Sequence, residues 1–146
     1  GGPTLVEAVH IGFAVDTPAG LVVPVIRDVD KLGLREVATQ TKGIVEQVRS
    51  GRARADLYQG GTFTITNLGA EGIDAFTPII NPPQAAILGI GRIKKQPVWV
   101  DNGFVPRDLV TLSLTFDHRI ADGAPAARFL RSICASIENP AERLIP

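Results

Sequence analysis

The chain has 146 residues, with 15 basic and 15 acidic side chains and a net charge of zero. This balance argues against an electrostatic surface for nucleic acid or for an anionic membrane. Cys134 is the single cysteine, so an internal disulfide is impossible, and with only two histidines a His/Cys zinc site is nearly excluded. A single domain of this length is expected to bury roughly 68–70% of the surface of its unfolded chain.

Two features concern the chain's origin. Every apolar run is shorter than the roughly 18 residues of a membrane span, and no basic-then-apolar leader opens the chain. The chain also contains no methionine. We therefore expect a processed piece or a fragment of a longer protein.

The first half of the chain predicts a hairpin followed by a helix. Residues 9–15 alternate between apolar and polar side chains, and residues 21–26 form an apolar run interrupted by Pro24. This pattern indicates two strands, the second free or bulged at the proline, which cannot donate a ladder hydrogen bond. From Leu34 the apolar residues recur with the helical period, and Ser50-Gly51 is expected to end the helix.

The middle of the chain predicts further strands around one irregular segment. Residues 62–67 alternate, which predicts a strand with Phe63 and Ile65 on one face and a row of solvated threonines on the other. Residues 68–84 are rich in Gly and Pro and predict irregular structure. A buried strand is expected at 85–90, and residues 98–105 predict a hairpin with its turn at 101–103.

The last elements are a strand and a helix. Residues 110–116 alternate most clearly of all, and an apolar stripe predicts a helix from about 124 to 138, stopped by Asn139-Pro140. The order of elements predicts one α/β domain with a mixed β-sheet and flanking helices.

The segment between that strand and helix, TFDHRIADG at 115–123, holds the best candidates for chemistry. His118 and Asp122 are four residues apart, so a helix-like turn would place both on one face. A neutral imidazole oriented by a carboxylate can act as a general base. Spacing alone leaves a second interpretation open, in which the histidine closes the strand and Asp122 caps the helix. Asp117 is expected to point elsewhere.

Other candidates are weaker. Cys134 falls on the apolar stripe of the last helix, which favours a buried structural thiol. His10 lies in a strand, where a packing or surface role is favoured. The chain has no Gly-x-Ser-x-Gly elbow, and Gly89-Ile90-Gly91 alone is a weak nucleotide signal.

FDHRIADG resembles the DHRxxDG signature of the acyltransferase (E2) catalytic domain of 2-oxo acid dehydrogenase complexes. Three further stretches are similar to that family and occur in its order: 11–28, 60–92 and the helix end at 138–140. The resemblance covers nearly the whole chain. It implies that residues 1–146 are the C-terminal part of one coenzyme A-dependent acyltransferase-like domain, whose N-terminal part is absent.

The resemblance also implies a reaction. Members of the family pass acyl groups between dihydrolipoamide and coenzyme A, both of which are substrates, and the lipoyl group is carried on a domain outside this chain. His118 would be the general base on the thiol, and Thr66, at the matching position of the family's F-T-x-[S/T] strand, would donate to the oxyanion. Asp122 would orient the histidine. No metal is implied, and no residues are assigned to coenzyme A binding.

The expected partners follow from the same resemblance. Family members are homotrimers with the active site between subunits, and the trimers assemble into cages, for which the apolar tail Leu144-Ile145 is suited. The E1 and E3 components would bind through absent domains, and the bacterial cytoplasm is favoured over the mitochondrial matrix.

Two alternatives stay open: a self-associating scaffold without activity, or a free acyltransferase for a small amine or alcohol. The acyl group is also open between acetyl, branched-chain and succinyl, with a slight preference for the first two.

Overall fold

The computed structural model describes residues 2–144 as a mixed α/β fold. Its strands are β1 (Ile11–Phe13), β2 (Val15–Thr17), β3 (Gly20–Val22), β4 (Val25–Ile26), β5 (Phe63–Asn67), β6 (Ala86–Ile90), β7 (Lys94–Val100), β8 (Gly103–Leu109) and β9 (Leu112–Phe116). Its helices are α1 (Leu34–Arg49), α2 (Gly123–Glu138) and α3 (Pro140–Arg143), with short 3-10 turns at Val29–Lys31, Ala55–Tyr58 and Gly69–Glu71.

A five-stranded sheet in the order β4-β1-β5-β6-β9 forms the centre of the fold. The strands β1, β5 and β6 are parallel, whereas β4 and β9 run antiparallel to their neighbours. The predicted mixed sheet is therefore confirmed. The strands β7 and β8 pair with each other as a separate hairpin, with Asp101 and Asn102 at positive φ in its turn, as the sequence predicts.

The first hairpin is divided at the predicted proline. The strands β2 and β3 form a ribbon of their own, and β1 pairs with β4 in the main sheet. Pro24 lies between β3 and β4, where its carbonyl oxygen accepts a hydrogen bond of 3.0 Å from the backbone N–H of Phe13. Because the proline nitrogen cannot return this bond, the ladder is interrupted there.

The two long helices begin and end close to the predicted residues. Helix α1 starts after Gly33, whose N–H donates to the Glu36 carboxylate at 2.8 Å. Helix α2 packs on the apolar face of the sheet, where the rings of Phe129 and Phe63 meet edge to face at 6.0 Å. Among the helices of residues 2–144, none combines the length and apolarity needed to cross a bilayer.

The end of the chain departs from the prediction. Asn139-Pro140 ends α2, but Pro140 then begins the short helix α3. Proline is favoured at the first position of a helix, where its missing N–H leaves no bond unmade. Of the tail Leu144-Ile145, for which assembly contacts were expected, Leu144 is 42% exposed, and Ile145 lies outside the described residues.

The threonine face of β5 is not solvated, which corrects the sequence-based expectation. Thr64 is only 1% exposed, and its hydroxyl donates to Oε1 of Gln84 at 2.6 Å. The irregular segment at 68–84 covers this face, where Thr115 donates to the carbonyl oxygen of Pro78 at 2.7 Å. Alternation along a strand identifies two faces but not what covers the polar one.

The folded chain has a larger solvent-accessible surface than its mass predicts. Its accessible surface is 10333 Å², whereas a compact monomer of this mass exposes about 7,200 Å² and its unfolded chain about 22,500 Å². Folding therefore buries about 54% of the surface rather than the expected 68–70%. Large apolar side chains account for part of the difference, among them Ile79 at 88% exposed and Phe104 at 72%.

Candidate active site

His118 lies in a tight turn between β9 and α2. The backbone N–H of Asp117 donates to the carbonyl oxygen of Ala85 at 2.7 Å, which extends the pairing of β9 and β6 by one residue. The carbonyl oxygen of Asp117 then accepts from the N–H groups of Ile120 and Ala121, which closes the turn. The imidazole rests near the ring of Phe116, with 5.6 Å between ring centroids, and 71% of the side chain is exposed in the single chain.

The carboxylate of Asp117 points away from His118, as expected. It accepts hydrogen bonds from the Arg119 guanidinium, the shortest at 2.7 Å, and from the Arg119 backbone N–H at 2.9 Å. These bonds, led by those from the guanidinium, lower the pKa of Asp117 to about 2. The same ion pair raises the pKa of Arg119. Asp117 and Arg119 therefore form a permanently charged clip across the turn at neutral pH.

Asp122 contacts His118, as its spacing predicts. Its Oδ1 lies 3.6 Å from Nδ1 of the imidazole, slightly beyond hydrogen-bond distance. Asp122 is also the residue that precedes α2, so the capping position in the second interpretation is correct. Within residues 2–144, however, its side chain accepts no capping hydrogen bond. The Asp122 carboxylate therefore lies free of the helix cap and beside Nδ1 of the imidazole.

Thr66 lies on the covered face of β5, close to the end of that strand. It is in register with Gly89 of β6, which is in turn in register with Ser113 of β9, so the three residues share one face. A Cβ atom on Gly89 would approach Phe76 to 3.0 Å and Pro78 to 3.2 Å. The glycine thus lets Phe76 and Pro78 of the irregular segment lie directly on β6, in the strand position next to Thr66.

The structure does not bring Thr66 and His118 together within one chain. Thr66 shares a row with Ser113, near the start of β9, whereas His118 follows the end of β9. Five residues along the chain, the last two in the turn after β9, and two strand spacings separate them by roughly 15–20 Å. Thr66 and His118 therefore lie at opposite ends of the sheet.

The sequence-based reasoning missed the role of Gln84, the last residue of the segment 68–84. Its Oε1 accepts from Thr64, and its neighbour Ala85 accepts from Asp117, so it links the buried strand to the turn that carries His118. The only available signal was the family resemblance of residues 60–92, which include Gln84 but carried no assigned contact for it.

The sequence-based reasoning also missed Asp74, because its partners Arg92 and Lys94 are distant in sequence and follow β6. Hydrogen bonds from Lys94, at 2.7 Å, and from Arg92 lower the pKa of Asp74. The three residues join the irregular segment to the start of β7. Nothing in the local sequence predicts this contact.

Cys134 and His10, the two remaining candidates from the sequence, both lie in packed parts of the fold. Cys134 is half-buried on α2 rather than buried, because that helix packs against the sheet on one side only. His10 is half-buried, and its Nδ1 accepts from the backbone N–H of Asp28 at 3.0 Å, which confirms a packing role. Over residues 2–144, no three His, Cys, Asp or Glu side chains gather closely enough to hold a metal ion.

Comparison with known families supplies the identity of the fold. The sequence model of the 2-oxoacid dehydrogenases acyltransferase (catalytic domain) family matches residues 4–145. The chain belongs to this family. The match extends over the sheet, the irregular segment and the His118 turn, and the fold is that of an acyltransferase core.

One relative is known in both sequence and structure. The acetyltransferase component of the pyruvate dehydrogenase complex of Azotobacter vinelandii is 51% identical over 125 residues, which cover 86% of this chain and 20% of the relative. A structure of the dihydrolipoamide acetyltransferase of that organism aligns with a TM-score of 0.90 and 47% identity, covering 94% of this chain and 56% of that one. That structure comes from an investigation of a serine, a histidine and an asparagine in its catalytic mechanism.

Two further similarities widen the comparison. A succinyltransferase component of the 2-oxoglutarate dehydrogenase complex from Haemophilus influenzae is 44% identical, over 92% of this chain and 33% of the relative. The cubic core of a pyruvate dehydrogenase multienzyme complex aligns with a TM-score of 0.90 and 47% identity, covering 94% of this chain and 56% of that one. The chain thus spans about a fifth to a third of these curated relatives.

Proposed function

We propose that this chain provides the general base and the oxyanion donor for acyl transfer between dihydrolipoamide and coenzyme A. The observation that carries the proposal is the His118–Asp122 contact at the end of β9, in a chain that belongs to the acyltransferase family. Thr66 is the proposed hydroxyl donor. The complete protein would be the E2 component of a 2-oxo acid dehydrogenase complex.

The Azotobacter relative supports the choice of these three residues. Its serine, histidine and asparagine are separated by the same numbers of residues as Thr66, His118 and Asp122 in this chain. Threonine in place of serine keeps a hydroxyl group. Aspartate in place of asparagine keeps a side-chain oxygen for the imidazole and adds a negative charge beside it.

The chemistry requires a base because both acceptors are thiols. Complete proton transfer from a thiol to a free imidazole is uphill by about two pKa units, or roughly 2.7 kcal/mol, from their reference values. His118 Nε2 accepts the thiol proton as sulfur attacks the thioester carbonyl, so a free thiolate never accumulates. The carbonyl oxygen becomes an oxyanion, and a hydroxyl that donates to it contributes roughly 3–4 kcal/mol. Collapse of the tetrahedral intermediate releases the other thiol, which takes the proton back from His118.

The positions of the two groups favour an active site between subunits. One chain holds its base and its hydroxyl roughly 15–20 Å apart, so a shared site needs Thr66 from one copy and His118 from the next. The chain also exposes about 3,000 Å² more than a compact monomer, which is the scale of an obligate interface. A ring of three copies is the proposed unit, and the cubic core of the related complex is a precedent for larger assembly.

The finer assignments follow the relatives. We propose acetyl as the acyl group, because the Azotobacter relative is an acetyltransferase component, although the succinyltransferase relative is nearly as similar. Binding of E1 and E3 would be the task of domains outside this chain. The bacterial cytoplasm is the proposed compartment.

The test is replacement of each of the two histidines in the full-length protein. His118→Ala should lower the transfer of acetyl from acetyl-coenzyme A to dihydrolipoamide by about 10²–10⁴-fold, because the positioned base is lost. His10→Asn is the matched control: it keeps an acceptor for the Asp28 N–H, so activity should stay near the wild-type level. Wild-type activity in the His118 variant would refute the proposed base. An inactive wild-type protein that still assembles would favour the scaffold alternative.

A further inference from the structure

Thr64, which is buried, and Gln84, which is half-buried, form a hydrogen-bonded polar pair beside the start of β6. Thr64 is 1% exposed, and its hydroxyl donates to Oε1 of Gln84 at 2.6 Å. A hydroxyl buried to this degree would lose about 1–3 kcal/mol if its partner were removed. The contact therefore specifies where the Gln84 side chain lies.

Gln84 is held at two further points. Its backbone N–H donates to the carbonyl oxygen of Asn81 at 3.1 Å, closing the turn over the two prolines. Its Nε2 packs against Gly61, where an added Cβ would come within 2.9 Å. Oε1 of the amide thus contacts Thr64, and Nε2 lies against Gly61.

Ala85, the residue after Gln84, connects this pair to the turn that contains His118. The carbonyl oxygen of Ala85 accepts from the backbone N–H of Asp117 at 2.7 Å, and His118 is the next residue. The turn that presents His118 is closed on the carbonyl oxygen of Asp117. A rotation of the peptide at 84–85 would thus move the residue from which the turn is built.

We propose that Thr64 and Gln84 are positioning residues that set the location of His118 through the Ala85–Asp117 hydrogen bond. The inference rests on the proposed function for its effect on catalysis, but the hydrogen-bond relay is a separate structural claim. Small displacements of a catalytic group are costly, since about 1 Å of misplacement can reduce turnover by 10²-fold.

The kinetic experiment uses the full-length, assembled protein. Thr64→Val removes the hydroxyl at nearly constant volume, and Gln84→Met removes the amide. Each should lower kcat by about 10- to 100-fold, while KM for coenzyme A and for dihydrolipoamide changes little. Thr64→Ser should restore most of kcat because it keeps the donor. Thr41→Val, which removes a helix hydroxyl far from the site, is the control for a general Thr→Val effect.

A second measurement does not depend on activity. Hydrogen exchange at the Asp117 amide reports the bond to Ala85 directly, and it should accelerate in Thr64→Val and Gln84→Met but not in Thr64→Ser or Thr41→Val. Unchanged exchange in a folded Thr64 or Gln84 variant would overturn the relay. Faster exchange with wild-type kcat would overturn its role in positioning. An inactive wild-type protein would count against the proposed function alone, and the exchange data would still decide the relay.

Discussion

Two carboxylates flank one imidazole in the His118 turn, and the structure gives them different tasks. Asp117 is occupied by Arg119, whose guanidinium and backbone N–H both donate to it. Asp122 faces Nδ1 of His118 instead. Because Arg119 pairs with the Asp117 carboxylate, Asp122 is the carboxylate that remains beside the imidazole, in the place that the proposed orienting role requires. This division depends on side-chain directions that residue spacing alone does not determine.

The Asp117–Arg119 ion pair predicts that the stability of the fold depends on pH in the acidic range. The hydrogen bonds lower the pKa of Asp117 from 3.8 to about 2 in the folded protein. A lowered pKa means that the clip stabilises the fold fully above about pH 4 and that this contribution is lost as the pH falls towards 2. The carboxyl carbon of Asp117, followed by NMR, should titrate near pH 2.

The control for this titration is a change of partner. Arg119→Gln should return the Asp117 pKa towards its ordinary value, whereas Lys95→Gln, which removes an exposed partner of Asp108, should leave it unchanged. A wild-type midpoint at or above 3.8 would show that the clip does not form in solution.

At the scale of elements, the irregular segment 68–84 determines how the site is covered. It crosses the threonine face of the sheet and is attached at one end by Asp74 to Arg92 and Lys94. Gly91 permits this attachment, because an added Cβ there would overlap the carbonyl oxygen of Asp74. The segment is therefore in direct backbone contact with Gly91, the residue that follows β6.

This contact predicts opposite effects for two glycine substitutions. Gly91→Ala should destabilise the protein by about 1–3 kcal/mol or more, because the new methyl group collides with backbone. Gly43→Ala in α1 should stabilise it by roughly 0.5–1 kcal/mol, because alanine favours the helix. Apart from the neighbouring helix backbone, no atom of residues 2–144 would lie within 4 Å of the new methyl group. Denaturant midpoints compare the two. Equal midpoints would contradict the packing of segment 68–84 on β6.

Sequence patterns predicted most elements because those patterns are local. The alternation at 110–116 and the helical period from Leu34 depend on residues a few positions apart, and β9 and α1 appear close to where they were expected. Burial of Thr64 was not predictable in this way, since its cover comes from a segment without periodicity. Proline at 140 was interpreted as a stop, although it also fits the first turn of a new helix.

At the scale of the whole molecule, the sequence predicted which residues form the candidate site but not how they are arranged in space. Motif matching assigned Thr66 and His118 without stating how far apart they lie. The strand register supplies the missing distance, because it places them at opposite ends of a five-stranded sheet. The large exposed surface also supports the proposal that the functional unit is larger than one chain.

The most direct test of a shared site is complementation between two inactive variants. Thr66→Ala alone should lose roughly 10²–10³-fold in turnover, and His118→Ala alone is expected to be at least as impaired. Co-expression of the two should form mixed rings in which some interfaces combine an intact Thr66 with an intact His118. Random assembly of equal amounts places both at about one interface in four, so roughly a quarter of the wild-type activity should return.

Mixing the two variants after separate assembly is the control and should restore nothing, provided that subunits do not exchange. Recovery on co-expression alone is the result that a site between subunits predicts. Co-expressed rings of confirmed mixed composition that are no more active than the separately assembled variants would contradict it, because Thr66 and His118 would then both be needed within one chain.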